Sequence, residues 1–172
     1  MRLRRGFAIA SSAAVITVAA MAVIAPGPAV AGGVRPCAQL SVDVTSTPVA
    51  RPVNHVLLTL TNKGTEPCAA HGAPILRFPG AHTPAGVWAD SKPGSVVVIS
   101  PGESAYSGLT ASVADGSGTG GRPADRALLR FQGADGALVG PAVRVELRPG
   151  PWVDSKATVT HWQAAAENAL AW

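Results

Sequence analysis

Four histidines, two cysteines and a thin scatter of carboxylates are the side chains in this 172-residue sequence that could do chemistry. A transition-metal site wants three or four ligands at a recognisable spacing. His55, His71, His82 and His161 show none, and no HExxH occurs. Cys68-Ala-Ala-His71 is a pair at ligand-like spacing, but two ligands do not make a site. Each histidine is therefore read as a surface or strand-edge residue. His71 is the one to follow, because it stands in the most strongly patterned stretch, Val56–Pro74. A copper-handling sandwich would draw on His and Met, yet both methionines, Met1 and Met21, precede residue 22. No metal and no cofactor are expected.

Hydrolytic chemistry finds no better footing. Nucleophilic attack needs a serine on a sharp turn with a base beside it. No GxSxG occurs, and Gly102-Glu103-Ser104 reads as a turn into a strand. Asp125 and Asp135 could in principle flank a sugar, but a chain of this size offers such pairs by chance. The run Gly116-Ser117-Gly118-Thr119-Gly120-Gly121 lacks the Gly-Lys-Ser/Thr ending of a phosphate loop and the helix that should follow it. It reads as part of a flexible surface loop over Val113–Asp125. No catalytic residue is expected.

The elements that would position these groups begin after a leader. Arg2, Arg4 and Arg5 precede an uncharged apolar run from Phe7 to Ala25, and Ala29-Val30-Ala31 supplies the small residues of a cleavage site. Residues 1–31 read as a secretory signal peptide, and 32–36 as a short lead-in. Retention of the apolar run would make it a membrane anchor; Pro26, Pro28 and the Ala-x-Ala end favour cleavage. A lipoprotein is disfavoured, since Cys37 follows Val34-Arg35-Pro36 rather than small residues. The protein is thus expected to be secreted, with membrane contact only through an uncleaved leader.

Removing the leader changes the charge argument. The whole chain is formally +4, but the leader holds three arginines, so 11 Lys+Arg against 10 Asp+Glu leave the remainder at +1. With no basic cluster interleaved with aromatics, nucleic-acid binding is excluded from the reading. Two cysteines in an exported chain most simply form a structural disulfide, Cys37–Cys68. Closing that loop would contribute roughly 3–4 kcal/mol in the chain-entropy model. A redox pair or a pair of metal ligands are the alternatives, and the long spacing disfavours both.

Past Cys37 the chain alternates. Leu40, Val42 and Val44 share one face of a strand over Ala38–Thr45, and the two prolines of Ser46–Pro52 mark a loop. Val56, Leu58 and Leu60 share a face of Val53–Thr61, which ends at Asn62-Lys63-Gly64, residues that tolerate positive φ. Further strands are expected at Ala73–Phe78, Val87–Ala89, Ser95–Ser100 (buried by its β-branched composition), Ser104–Ser112, Arg126–Gln132, Leu138–Leu147 and Ala157–Trp162. Asp135-Gly136 is a tight turn. Gln163–Leu170 has helix propensity, and 163–172 reads as a tail holding at most a helical turn. Eight or nine short strands with turn signals every 8–12 residues make an all-β protein: an antiparallel β-sandwich, immunoglobulin-like in architecture, over 37–162. Trp88 and Trp152 are read as plugging the sandwich. Trp162 and Trp172 stay open, and an exposed group of Trp152, Trp162 and Trp172 would form a carbohydrate or partner surface.

Cys37 opening the domain, Asn62-x-Gly64-x-x-x-Cys68, Gly72-x-Pro74 with an apolar strand after it, and Pro101-Gly102 before a strand of small residues together carry a family likeness. The sequence resembles DUF4232, a family of exported actinobacterial proteins of unknown function, over most of Cys37 to Trp162. The resemblance implies an extracytoplasmic β-sandwich and supplies no catalytic residues. Its members often carry a further cysteine pair in the second half, which this chain lacks. The expectation is a monomeric, non-enzymatic exported domain that binds a protein or cell-envelope component through its loops or an edge strand. The alternative is a small metal-binding or hydrolytic extracellular domain using His71.

Overall fold

Alternation of apolar and polar side chains becomes strand wherever one face can be buried. The structure, a computed structural model, describes residues 33–172, so the leader read over 1–31 lies outside the described residues. Eleven strands run through them: β1 (Val42–Val49), β2 (His55–Asn62), β3 (Cys68–Arg77), β4 (Gly86–Val87), β5 (Val97–Ile99), β6 (Ser104–Thr110), β7 (Arg122–Pro123), β8 (Arg126–Gln132), β9 (Leu138–Glu146), β10 (Trp152–Val153) and β11 (Thr158–Val159). One sheet has the order β1-β2-β6-β11-β4, a second the order β5-β3-β8-β9, and β7 and β10 form a separate ribbon. The fold is all-β and sandwich-like. Val56, Leu58, Leu60, Ala105, Leu109 and Val159 of the first sheet share one apolar core with Leu76, Ile99, Ala127, Leu129, Phe131 and Val145 of the second. No helix among the described residues is long and apolar enough to cross a membrane.

Cys37 and Cys68 are bonded, and both are buried. Around the bridge, the Ala69 N–H donates to the Arg35 carbonyl at 2.9 Å, which lays the lead-in segment beside β3. The Arg35 guanidinium also meets the Glu66 carboxylate on the surface.

Several local expectations are corrected. Residues 46–49 are strand, not loop: β1 continues through Pro48, paired opposite Val56. β1 lies at the end of its sheet, and an edge strand tolerates a residue that lacks an N–H. Pairing between the named strands is antiparallel except for β11 and β4, which run parallel, and the isolated bridge of Pro36 to Ala69 is parallel too. β3 starts at Cys68 rather than Ala73 and carries a bulge between His71 and Ile75. The bulge explains Gly72-x-Pro74. Gly72 has φ +63°, and a Cβ there would lie 2.3 Å from Gln132 Oε1. Pro74 falls where the ladder asks for no donor.

β5 is an edge strand with one buried face: Ile99 is inside, while Val96 and Val98 are about half exposed. Positive φ is found at Asn54, not at Asn62 or Gly64. The expectation that Trp88 and Trp152 plug the sandwich is corrected, and Trp162, left open, takes that place. Trp88 and Trp152 are exposed, and Trp162 is 1 % exposed in the core, stacked on Phe131 with ring centroids 6.2 Å apart. Trp172 is exposed, so Trp162 and Trp172 form no joint patch. The segment 163–172 holds the helical turn expected of it and is packed down. Gln163 is buried and exchanges backbone hydrogen bonds with Tyr106, and the short helix α1 (Ala166–Ala169) seats Ala169 against Gly108.

Candidate functional site

Two clefts collect the polar side chains of this sandwich. The first holds His71. The bulge in β3 sets His71 opposite Gln132 of β8, and the end of β11 delivers His161, so the two histidines line one cleft of about 430 Å3 with Lys92, Ser95 and Gln132. His161 is braced from behind by the buried Ser91. Its Oγ donates to the Trp88 carbonyl (2.5 Å), accepts the His161 backbone N–H (2.9 Å) and lies 3.0 Å from His161 Nδ1. With the hydroxyl proton committed to Trp88, Nδ1 is the ring donor and Nε2 the acceptor. Burial pushes the His161 imidazole below its ordinary range; the Trp88 carbonyl works against that shift and the nearby Lys92 adds to it.

Ser91 is 2 % exposed and already donates its proton, so the Ser91–His161 contact is a brace and not a nucleophile with its base. No three His, Cys, Asp or Glu side chains among the described residues come together as metal ligands. Cys68 is consumed by the disulfide. His55 Nδ1 lies 2.7 Å from the Val53 carbonyl, and its Nε2 lies 3.0 Å from the Trp172 carbonyl and 2.9 Å from the Thr110 hydroxyl, so the ring is engaged by local structure. Asp125 meets Arg126, and Asp135 caps the turn at Ala137, so these two carboxylates do separate structural jobs.

The second cleft lies where loops meet. The ribbon of β7 and β10 pairs Trp152 with Pro123 and Val153 with Arg122. The glycine-rich segment expected to be flexible is instead tied to this ribbon: Thr119 and Ser155 exchange two hydrogen bonds of 3.0 Å. Two of its four glycines, Gly118 and Gly121, make room for side chains, while Gly116 and Gly120 take positive φ in open space. A Cβ on Gly121 would lie 2.2 Å from Trp152 Nε1, and one on Gly118 would lie 2.0 Å from Asp154 Oδ2. Trp152 is thereby laid against backbone on one side while remaining 57 % exposed. A cleft of about 240 Å3 is lined by Val153, the residue after Trp152, and by His82, Thr119, Arg122, Asp154, Ser155 and Ala157; the indole of Trp152 is not part of its wall. Arg122 is aimed by its hydrogen bond to the Pro79 carbonyl at 2.6 Å, and Asp154 Oδ1 accepts the Lys156 N–H at 2.8 Å.

An imidazole, a guanidinium, a carboxylate and two hydroxyls line the cleft as a set of donors and acceptors, and the exposed indole of Trp152 lies outside its wall, one residue before Val153. That mixture suits recognition of a polar chain, and it contains no activated nucleophile. Sequence reasoning missed Arg122, Asp154 and Ser155. The available signal was in the glycine run, where Gly118 and Gly121 are closely packed although Gly116 and Gly120 are open.

The family model for a domain of unknown function (DUF4232) matches residues 37–163. No curated protein and no solved structure matches the chain significantly.

Proposed function

The chain belongs to the DUF4232 family, which hands down no activity, and we propose from its own geometry that it is an exported, non-enzymatic β-sandwich that binds a protein or cell-envelope component at its loop end. The observation that carries this reading is Trp152, more than half exposed and backed by Gly121, in the same β7–β10 ribbon whose Arg122 and Val153, with Asp154 and Ser155, line a polar cleft. A large indole left in water is unfavourable for an isolated domain and favourable once a partner covers it. Export is supported by the leader pattern of residues 1–31 and by a disulfide of the kind that persists in oxidising compartments.

The test is retention of ligand from cell-wall and secreted fractions by the mature protein, compared with Trp152→Ala and Arg122→Ala, alongside metal analysis. Retention that falls at least about tenfold in both variants supports the reading, since hot-spot aromatics and arginines commonly carry that much. Stoichiometric metal with no retained partner would overturn it.

A further inference from the structure

The outer face of the β5-β3-β8-β9 sheet carries arginines that the loop-end reading leaves unused. Register sets Arg77 of β3 opposite Leu128 of β8, and Leu128 opposite Arg144 of β9. Side chains alternate across a sheet, so Ala127 and Leu129 enter the core while Arg126, Leu128 and Arg130 face outward. Arg77, Arg126 and Arg144 line a cleft of about 370 Å3 whose apolar wall includes Leu128 and Pro79. Strands in a sheet are about 4.8 Å apart, which puts the Cα atoms of Arg77 and Arg144 roughly 10 Å apart across Leu128. Two arginine side chains can converge over that span.

The charge is only partly cancelled locally. Arg144 meets Glu146 at 2.6 Å, a carboxylate it shares with Arg148, and Arg126 reaches Asp125 only at 3.5 Å. Neither Arg77 nor Arg130 has a carboxylate partner among the described residues. The existing pairs are exposed, and exposed pairs contribute little, so an incoming anion can displace them. Leu128 is 50 % exposed in the middle of this positive face. A guanidinium fork matches a planar carboxylate or a phosphate through paired hydrogen bonds, which a lysine cannot do.

We propose that this cleft binds an organic anion, a carboxylate or phosphate group joined to an apolar body, with Arg77, Arg126 and Arg144 holding the anion and Leu128 receiving the apolar part. The site goes beyond the loop-end reading and does not depend on it. It is tested by calorimetric and NMR titration of the mature protein with phenyl phosphate and with benzoate, using phenol and inorganic phosphate as controls, at low and raised salt. The expected result is saturable one-site binding of at least one of the two organic anions, weakening as salt rises, with phenol and inorganic phosphate at least about tenfold weaker. Which anion binds tighter tells phosphate from carboxylate. Amide shifts in the wild-type protein should cluster at Arg77, Leu128 and Arg144. Arg77→Gln and Arg126→Gln should each weaken binding about tenfold, and Trp152→Ala should leave it unchanged. The proposal is overturned by no saturable binding of either organic anion, by inorganic phosphate binding as tightly as phenyl phosphate, by shifts clustering elsewhere, or by binding that survives both arginine substitutions.

Discussion

The side-chain amide of Asn62 donates to the carbonyl of Ile99 at 3.0 Å and so ties the end of β2 in one sheet to β5 in the other. The same NH2 group donates to the Glu66 carbonyl at 2.8 Å, and Oδ1 accepts the Gly64 N–H at 2.9 Å. The backbone N–H of Asn62 donates to Glu103 O, and its carbonyl accepts the Gly102 N–H. The residue is fully buried and every one of its donors is used. The Asn-x-Gly…Cys spacing therefore encodes a hydrogen-bonded joint that also sets the approach of the chain to Cys68.

Removing that joint leaves the buried carbonyl of Ile99 without the Asn62 donor, while the carbonyl of the exposed Glu66 can turn to water. Asn62→Ala should destabilise the domain by about 1–3 kcal/mol, the cost of one orphaned buried group. Asn62→Asp should be at least as damaging, because it replaces two donors with a buried charge. Denaturant unfolding of the mature protein measures both, and a change below about 0.5 kcal/mol, the range of ordinary surface substitutions, would refute the joint.

The disulfide predicts a second stability loss of separate origin. Reduction, or Cys37→Ser with Cys68→Ser, should lower stability by roughly 3–4 kcal/mol, as expected for closing a loop of this length. Thiol labelling of the denatured, unreduced mature protein should find no free thiol; two labelled cysteines would refute the bridge.

Trp162 should be the costliest tryptophan to remove. Its ring stacks on Phe131, and its backbone N–H donates to the Gly72 carbonyl in the β3 bulge at 3.1 Å. Trp162→Ala should cost about 3–5 kcal/mol, and Trp152→Ala should leave the unfolding midpoint nearly unchanged. Equal losses would contradict the assignment of one to the core and the other to the surface. Gly108→Ala provides an independent check on the C-terminal segment. The added Cβ would lie 2.1 Å from the Ala169 carbonyl, so amide protection of residues 166–170 should fall while that of β8 and β9 persists.

The pH dependence follows from His161. Burial holds its imidazole below the ordinary value of 6.5, so the folded state favours the neutral ring more than the unfolded chain does. The stability this contributes is fully present above about pH 6.5 and is lost as pH falls from there through the lowered folded value. His161→Gln should flatten the slope of stability against pH in that acidic window and leave the slope above it unchanged. Unfolding midpoints over a pH series measure this, and identical acidic slopes in both proteins would count against it.

The long strands were legible because one buried face writes a period of two into the residues. Val56, Leu58 and Leu60 in β2 and Ala127, Leu129 and Phe131 in β8 are inside, as alternation requires. β4, β7, β10 and β11 are two residues each, too short to carry a period; they are strands only because partners lie beside them. Trp152 and Trp162 look alike in local sequence, and docking on the β3 bulge decides which is buried. Pro48 marked a loop because proline removes a donor, but at the rim of a sheet that donor is not needed. Asn62 was read through its backbone, while its side chain does the work. At the candidate site, His82, Arg122 and Asp154 come from three separate segments, and no spacing rule links residues that only the fold brings together.

The most direct measurement is a side-by-side capture from the cell-wall fraction by the wild-type mature protein and Trp152→Ala, both checked for the same unfolding midpoint. The account predicts that the wild-type protein holds a saturable partner and that the variant holds at least about tenfold less. Equal capture by the two folded proteins would contradict it.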